Sequence, residues 1–244
     1  MAYSIYHLHR AVNDIAKYQN KAVILHPGLF YLGSIFPESY VLPNSSLTRD
    51  DLHLLFPYTG QPADDMFFAV KKLHQKYNWN FKNPEELSFY LGYCHHLILD
   101  AVYALELYKP FFGKETKFSQ GPLYHDVFRI YLDTFARSTY TNHQILANLK
   151  EAKIDFLTDF FPKNVIKAWQ SAVYQQLSLM PDVKKVLLLF IGEEQRFKQT
   201  ALQYDQVISQ ITKIITPKHI VIVENQVTEL FDTFYQERSL LDTQ

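Results

Sequence analysis

The sequence predicts an all-α protein, a bundle of many helices. Three observations carry that expectation. Glycine is scarce, 7 of 244 residues, which speaks against glycine-turned sandwiches and phosphate-cradling loops. Helix-start signatures recur along the chain, while no run alternates with period two long enough for a firm strand. The lone cysteine, Cys94, excludes a disulfide framework, and a chain of this length buries enough apolar surface to fold without one.

The helices follow in order. Leu8, Ala11, Val12 and Ile15 recur at helical spacing between Tyr6 and Lys17. Pro27 to Leu47 reads as a turn-rich stretch, with Pro37, Pro43, Asn44, Ser45 and Ser46. Thr48 reads as a helix cap, with Asp51 at the capping-box position. Pro62 opens another helix, through Phe67, Val70 and Leu73. Asn83-Pro84 opens a third, apolar from Leu87 to about Leu107 and expected at the centre of the fold. After a loop from Gly113 to Pro122, helices are expected over Leu123–Ala136, 141–158, 162–180, 182–213 and 218–240. The segment Ile220 to Val223 is β-prone but too short to stand as a strand.

Net charge is -1, from 24 Lys+Arg against 25 Asp+Glu, which argues against a nucleic-acid footprint. The start, MAYSIYHLHRAVNDI, lacks the pattern of a cleaved signal, and the apolar run Val186–Ile191 is far too short for a membrane span. The expectation is a cytoplasmic protein with at most peripheral membrane contact.

Eight of the ten histidines lie in the first 125 residues. A site is therefore expected in a motif-bearing bundle over 1–140, with 141–244 as a helical extension packed on it and supplying no metal ligand. The strongest signal is His96 and Asp100, four apart in an apolar helix and so on one face. Burying a carboxylate is costly unless it is paired or binds a metal. The pair fits either a buried His–Asp hydrogen bond or a clasp for one divalent ion. His95 faces about 100° away and reads as packed or surface-exposed. His9 reads as a solvated rival of His7, His26 and His74 as surface residues, and Cys94 as small core filling. Asp133 is either a support to the site or a surface carboxylate.

The segment Glu86–Tyr93 followed by His96 and Asp100 resembles the central helix motif of the zinc-dependent phospholipase C family, apolar-Gly-Tyr-x-x-His-x-x-x-Asp. Four other pieces resemble family motifs in the family's order: His7-Leu8, Phe30 to Glu38, His53, and His125 with the residues to Arg129. The resemblance covers residues 5–135. It implies an all-α fold with extra C-terminal helices here. It also implies zinc-dependent hydrolysis of a phosphodiester, of phospholipid type. The implied ligands are His53, His96 and Asp100, with Glu38 where the family has Asp. His7 would serve a neighbouring ion bridged by Asp100, and His125 a remaining one. Glu38 and Asp100 are the implied catalytic carboxylates, orienting water.

The sequence departs from the family pattern at Arg129, which stands where a Glu ligand is expected, and in having no histidine between Asp100 and His125. One or two zinc ions are expected rather than three. Arg129 shares a helix face with His125; it either enters the pocket as a phosphate-binding fork or turns out toward Asp126 or Asp133. A family member that has lost catalysis and serves in binding or scaffolding is the alternative. A single-strand nuclease, which shares the fold, finds little support in the charge balance.

Overall fold

A computed structural model describes residues 4–18, 25–43, 45–54, 61–77, 79, 81–113, 118, 121–138, 143–178 and 194–241. Among the described residues there is no strand, and ten α-helices with short 3₁₀ and π segments form a bundle. They are α1 (Ser4–Tyr18), α2 (Pro27–Ile35), α3 (Arg49–His53), α4 (Pro62–Lys76) and α5 (Pro84–Tyr103). Then come α6 (Gly121–Ser138), α7 (His143–Glu151), α8 (Lys163–Ser178), α9 (Glu194–Ile214) and α10 (Pro217–Leu241). No described helix is long and apolar enough to cross a membrane.

The helix starts follow the expected chemistry. Thr48 and Asp51 form a full capping box on α3. Pro62 and Pro84 occupy first-turn positions, and the Asn83 side chain accepts from the Glu85 N–H. Helix α5 is buried at every residue from Ser88 to Tyr103, so no polar face is needed. It passes directly into a wider π-helical stretch, Ala104–Phe112, that contains Pro110.

The segment expected to be turns is instead mostly helical. Pro27–Ile35 forms α2 and Phe36–Val41 a 3₁₀ turn. Pro27 fits because a first-turn residue donates no intrahelical bond. The glycines serve close packing rather than turning. A Cβ on Gly33 would lie 2.1 Å from the Phe89 carbonyl oxygen, and one on Gly92 would lie 2.0 Å from that of Phe30. The two backbones of α2 and α5 therefore touch at reciprocal glycines.

The expected 141–158 helix stops at Glu151 and resumes as a 3₁₀ turn over Asp155–Asp159, which brings Ile154 and Leu157 into the core. Of the expected 182–213 helix, the part before Glu194 lies outside the described residues, as does the apolar run Val186–Ile191. The β-prone residues Ile220 to Val223 are helical, within α10. One hydrophobic core runs from α1 through α10, and α10 packs on α5 itself, with Phe231 edge-on to His95 and Val223 and Val227 buried in the same core.

Candidate metal centre

Four elements bring their polar side chains to one buried point. Helix α1 supplies His7, the 3₁₀ turn after α2 supplies Glu38, α3 ends on His53, and α5 supplies His96 and Asp100. All five are between 0% and 2% exposed, so each must be satisfied inside the protein. His53 is held at its place because the Tyr93 hydroxyl donates to the Leu52 carbonyl at 2.5 Å. Just beyond, Leu54 turns left-handed (φ 57°) and ends α3.

His53 Nε2, His96 Nε2 and Asp100 Oδ2 form a near-equilateral triangle. The separations are 3.3 Å between the nitrogens, 3.4 Å from His53 to Asp100 and 3.5 Å from His96 to Asp100. Glu38 Oε1 stands 3.5 Å from His53 Nε2. On the other side of the carboxylate, His7 Nε2 lies 3.4 Å from Asp100 Oδ1. The His7 ring stacks on that of His96, with centroids 3.8 Å apart and planes 15° apart. Ligand atoms of His7, Glu38, His96 and Asp100 all lie within 4.8 Å of one another, so this buried cluster could hold a metal ion.

The tautomers point the same way. His96 Nδ1–H donates to the Ser34 carbonyl at 2.8 Å, and His53 Nδ1–H donates to the Arg49 carbonyl at 3.2 Å. A carbonyl only accepts, so each Nδ1 carries a hydrogen, and in the neutral ring each Nε2 presents its lone pair to the cluster. Backbone carbonyls that orient imidazoles in this way are the usual support behind metal-binding histidines.

Both carboxylates of the cluster are held ionised by the imidazoles beside them. Burial alone would raise Glu38, but the His53 ring 3.5 Å away, then the charge of His96, outweigh it and hold the carboxyl at about 2. Burial also opposes ionisation of Asp100, yet the charge of His96 and the contacts with His7 and His96 hold it well below the usual carboxylate range. Burial, then the His96 charge, pushes His7 down to about 4, so its ring is neutral at pH 7. Both Asp100 oxygens and Glu38 Oε1 are buried without a hydrogen bond.

Thus five of the six residues singled out from the sequence meet: His7, Glu38, His53, His96 and Asp100. The sixth, His125, sits among the rings of Tyr103, Tyr108 and Phe112 and is not one of the four clustered ligands. Arg129 is mostly buried, at 17% exposure, with Asp126 a long 3.9 Å away. Its charge also reaches Tyr40, whose hydroxyl is raised by burial and by Glu38. Tyr40 places its ring edge-on to His53, with centroids 5.6 Å apart.

Among the surrounding residues, one departs from the expectation and others settle its alternatives. His9 is buried rather than solvated, because Phe135 of α6 covers it and Asn13 Nδ2 approaches its Nε2 at 3.1 Å. Asp133 is no surface carboxylate; fully buried, it accepts the Tyr6 N–H at 3.0 Å, next to His7. His95 is packed, with its Nε2 2.9 Å from the Asp14 carboxylate. His74 is exposed and stacks on Phe81. Sequence reasoning passed over Tyr40, Tyr93 and the carbonyls of Ser34 and Arg49. Only Tyr93 left a trace, as the Tyr after Gly92 in the helix motif.

Compared with protein-family models, curated proteins and solved structures, the chain finds no match.

Proposed function

We propose that the cluster is a zinc centre and that the protein is a metal-dependent phosphodiester hydrolase acting on a phospholipid-type substrate. The observation that carries the metal assignment is the triangle of His53, His96 and Asp100. Ligands about 2.1 Å from a tetrahedral zinc stand about 3.4 Å apart. The three separations here are 3.3, 3.4 and 3.5 Å, with Glu38 Oε1 a further 3.5 Å from His53 as the fourth partner. Two nitrogens and two carboxylate oxygens suit zinc. His7 and Asp100 Oδ1 offer the start of a second position, bridged through Asp100.

Bound zinc would polarise a phosphoryl oxygen and lower the pKa of water to about 7. The residues do the rest. His53 and His96 keep their lone pairs aimed inward because carbonyls hold their Nδ1 hydrogens. Glu38, held ionised, either closes the ligand set through Oε1 or leaves that position to a water and orients it. The phosphodiester reading rests on the ordered motifs that resemble the phospholipase C family, and on a near-neutral charge suited to a lipid headgroup.

A second reading is favoured by burial. Every ligand is at most 2% exposed, as in closed structural metal sites, and a family member without catalysis would serve in binding or scaffolding. One experiment separates the two. Untagged protein is analysed for metal, then assayed with zinc on bis(p-nitrophenyl) phosphate and on phosphatidylcholine vesicles. Hydrolysis that is lost in His96→Ala supports the hydrolase. Bound zinc without hydrolysis leaves the scaffold reading, and a chain that takes up no zinc overturns both.

A further inference from the structure

We infer that Asp14 is a positioning residue for the metal centre, setting the register of helix α1 so that His7 meets Asp100. This rests on the metal reading proposed above. His7, Arg10 and Asp14 follow at i, i+3 and i+7 and so share one face of α1. All three are buried. His7 and Asp14 are seven residues apart, about 10 Å along the helix.

The Asp14 carboxylate gathers partners from three helices. Arg10 Nη2 donates to its two oxygens at 2.9 and 3.0 Å, from within α1. His95 of α5 approaches through Nε2 at 2.9 Å. The Thr228 hydroxyl of α10 donates at 2.8 Å. Arg10 reaches on to Glu224 of α10 at 3.4 Å. This is a charged junction in the interior, where breaking one partner leaves an uncompensated buried charge.

The junction sits on the seam that also makes the metal cluster. His95 and His96 are neighbours on α5 but point about 100° apart. His95 turns to Asp14, and His96 turns to the cluster. Along the same α1–α5 seam, His7 stacks on His96 and reaches Asp100 Oδ1. Helix α1 is therefore pinned to α5 at Asp14–His95, and that pin fixes where His7 arrives. Ring stacking alone would let α1 slide or rotate, since stacked rings tolerate offset.

The experiment is a cobalt(II) titration of the full chain, followed by the visible absorption that reports ligand geometry. Asp14→Asn keeps the shape and removes the charge. The expected result is a folded chain with an altered cobalt spectrum and about tenfold weaker cobalt binding, the low end for a residue that orients a ligand. In the His7→Ala background, Asp14→Asn should cause no further loss, because Asp14 acts through His7. Thr228→Val provides a second variant with a milder change at the same junction, expected to shift the spectrum in the same direction. Wild-type binding and spectrum in both variants would overturn the inference, as would an equal loss in the His7→Ala background. A wild-type chain that binds no cobalt would overturn the metal reading and this inference together, and is told apart from the other failures by that alone.

Discussion

The Nε2 atoms of His53 and His96 face each other at 3.3 Å, while the Nδ1 atom of each is engaged by a backbone carbonyl. Two lone pairs directed at one another repel unless a positive charge lies between them. A single proton can join the two nitrogens, but it leaves the oxygens of Asp100 outside the bond. A divalent ion serves both nitrogens and the carboxylate together, and Asp100 Oδ2 is equally near to both rings.

Zinc should therefore stabilise the fold. At a free concentration one hundred times its dissociation constant, a ligand for the native state adds about 2.7 kcal/mol. For a chain of this size that is a rise of roughly 5–10 °C in melting temperature. The check is thermal unfolding with zinc and again after chelation. A proton-bridged pair would show no zinc-dependent shift.

His96→Ala and His125→Ala should part company. His96 lies in the triangle, so its loss should abolish zinc uptake. His125 lies among Tyr103, Tyr108 and Phe112, so His125→Ala should leave the zinc content per chain unchanged. Elemental analysis of both variants decides it, and a lower zinc count in His125→Ala would put that ring back among the ligands.

Acid should weaken the metal-free fold in two stages. Folded His7 titrates at about 4, against 6.5 for an ordinary histidine, so below pH 6.5 the unfolded chain binds the extra proton. Stability is thus complete above pH 6.5 and falls as pH drops toward 4. Glu38, at about 2 against 4.5, adds a further loss between those values. One pKa unit is worth about 1.4 kcal/mol, so His7 alone contributes on the order of 3 kcal/mol. His9, also pushed to about 4 by burial and the Arg10 charge, acts in the same window. His7→Gln should flatten the upper stage in part. Urea midpoints at pH 7, 5.5 and 4.5 test this, and an undiminished slope would count against it.

The site was more legible in the sequence than the elements around it. His96 and Asp100 declared themselves by helical spacing, and His7, Glu38 and His53 by the order of their motifs. Helix α2 was hidden because the stretch from Pro27 was read by the turn formers after it, Pro37, Pro43, Asn44, Ser45 and Ser46, whereas the packing role of Gly28 and Gly33 depends on a second backbone. The carbonyls of Ser34 and Arg49 left no mark, since every residue has one. Asp14 was invisible for another reason: its Thr228 partner is 214 residues away. His9 was misjudged because the helix that covers it, α6, comes more than a hundred residues later.

Gly92→Ala should disrupt fold and site together. The added methyl would stand 2.0 Å from the Phe30 carbonyl oxygen, 2.8 Å from its carbon and 3.0 Å from the Ser34 nitrogen. These are backbone atoms of α2 and cannot swing aside as a side chain would. Helices α2 and α5 must move apart, and Gly33 sits against Phe89 and Tyr93 on the same seam, so the shift is shared by both helices. Overpacking of this kind costs about 1–3 kcal/mol, and backbone contact places it at the upper end or beyond. The displacement also draws the Ser34 carbonyl away from His96 Nδ1, now 2.8 Å distant. His96 then loses the partner that fixes its tautomer, so zinc affinity should fall about tenfold or more. Urea unfolding and a zinc titration on the same Gly92→Ala preparation give both readouts. Wild-type stability would show that α2 and α5 are not in backbone contact, and a destabilised chain with unchanged zinc affinity would show that the Ser34 carbonyl does not orient His96.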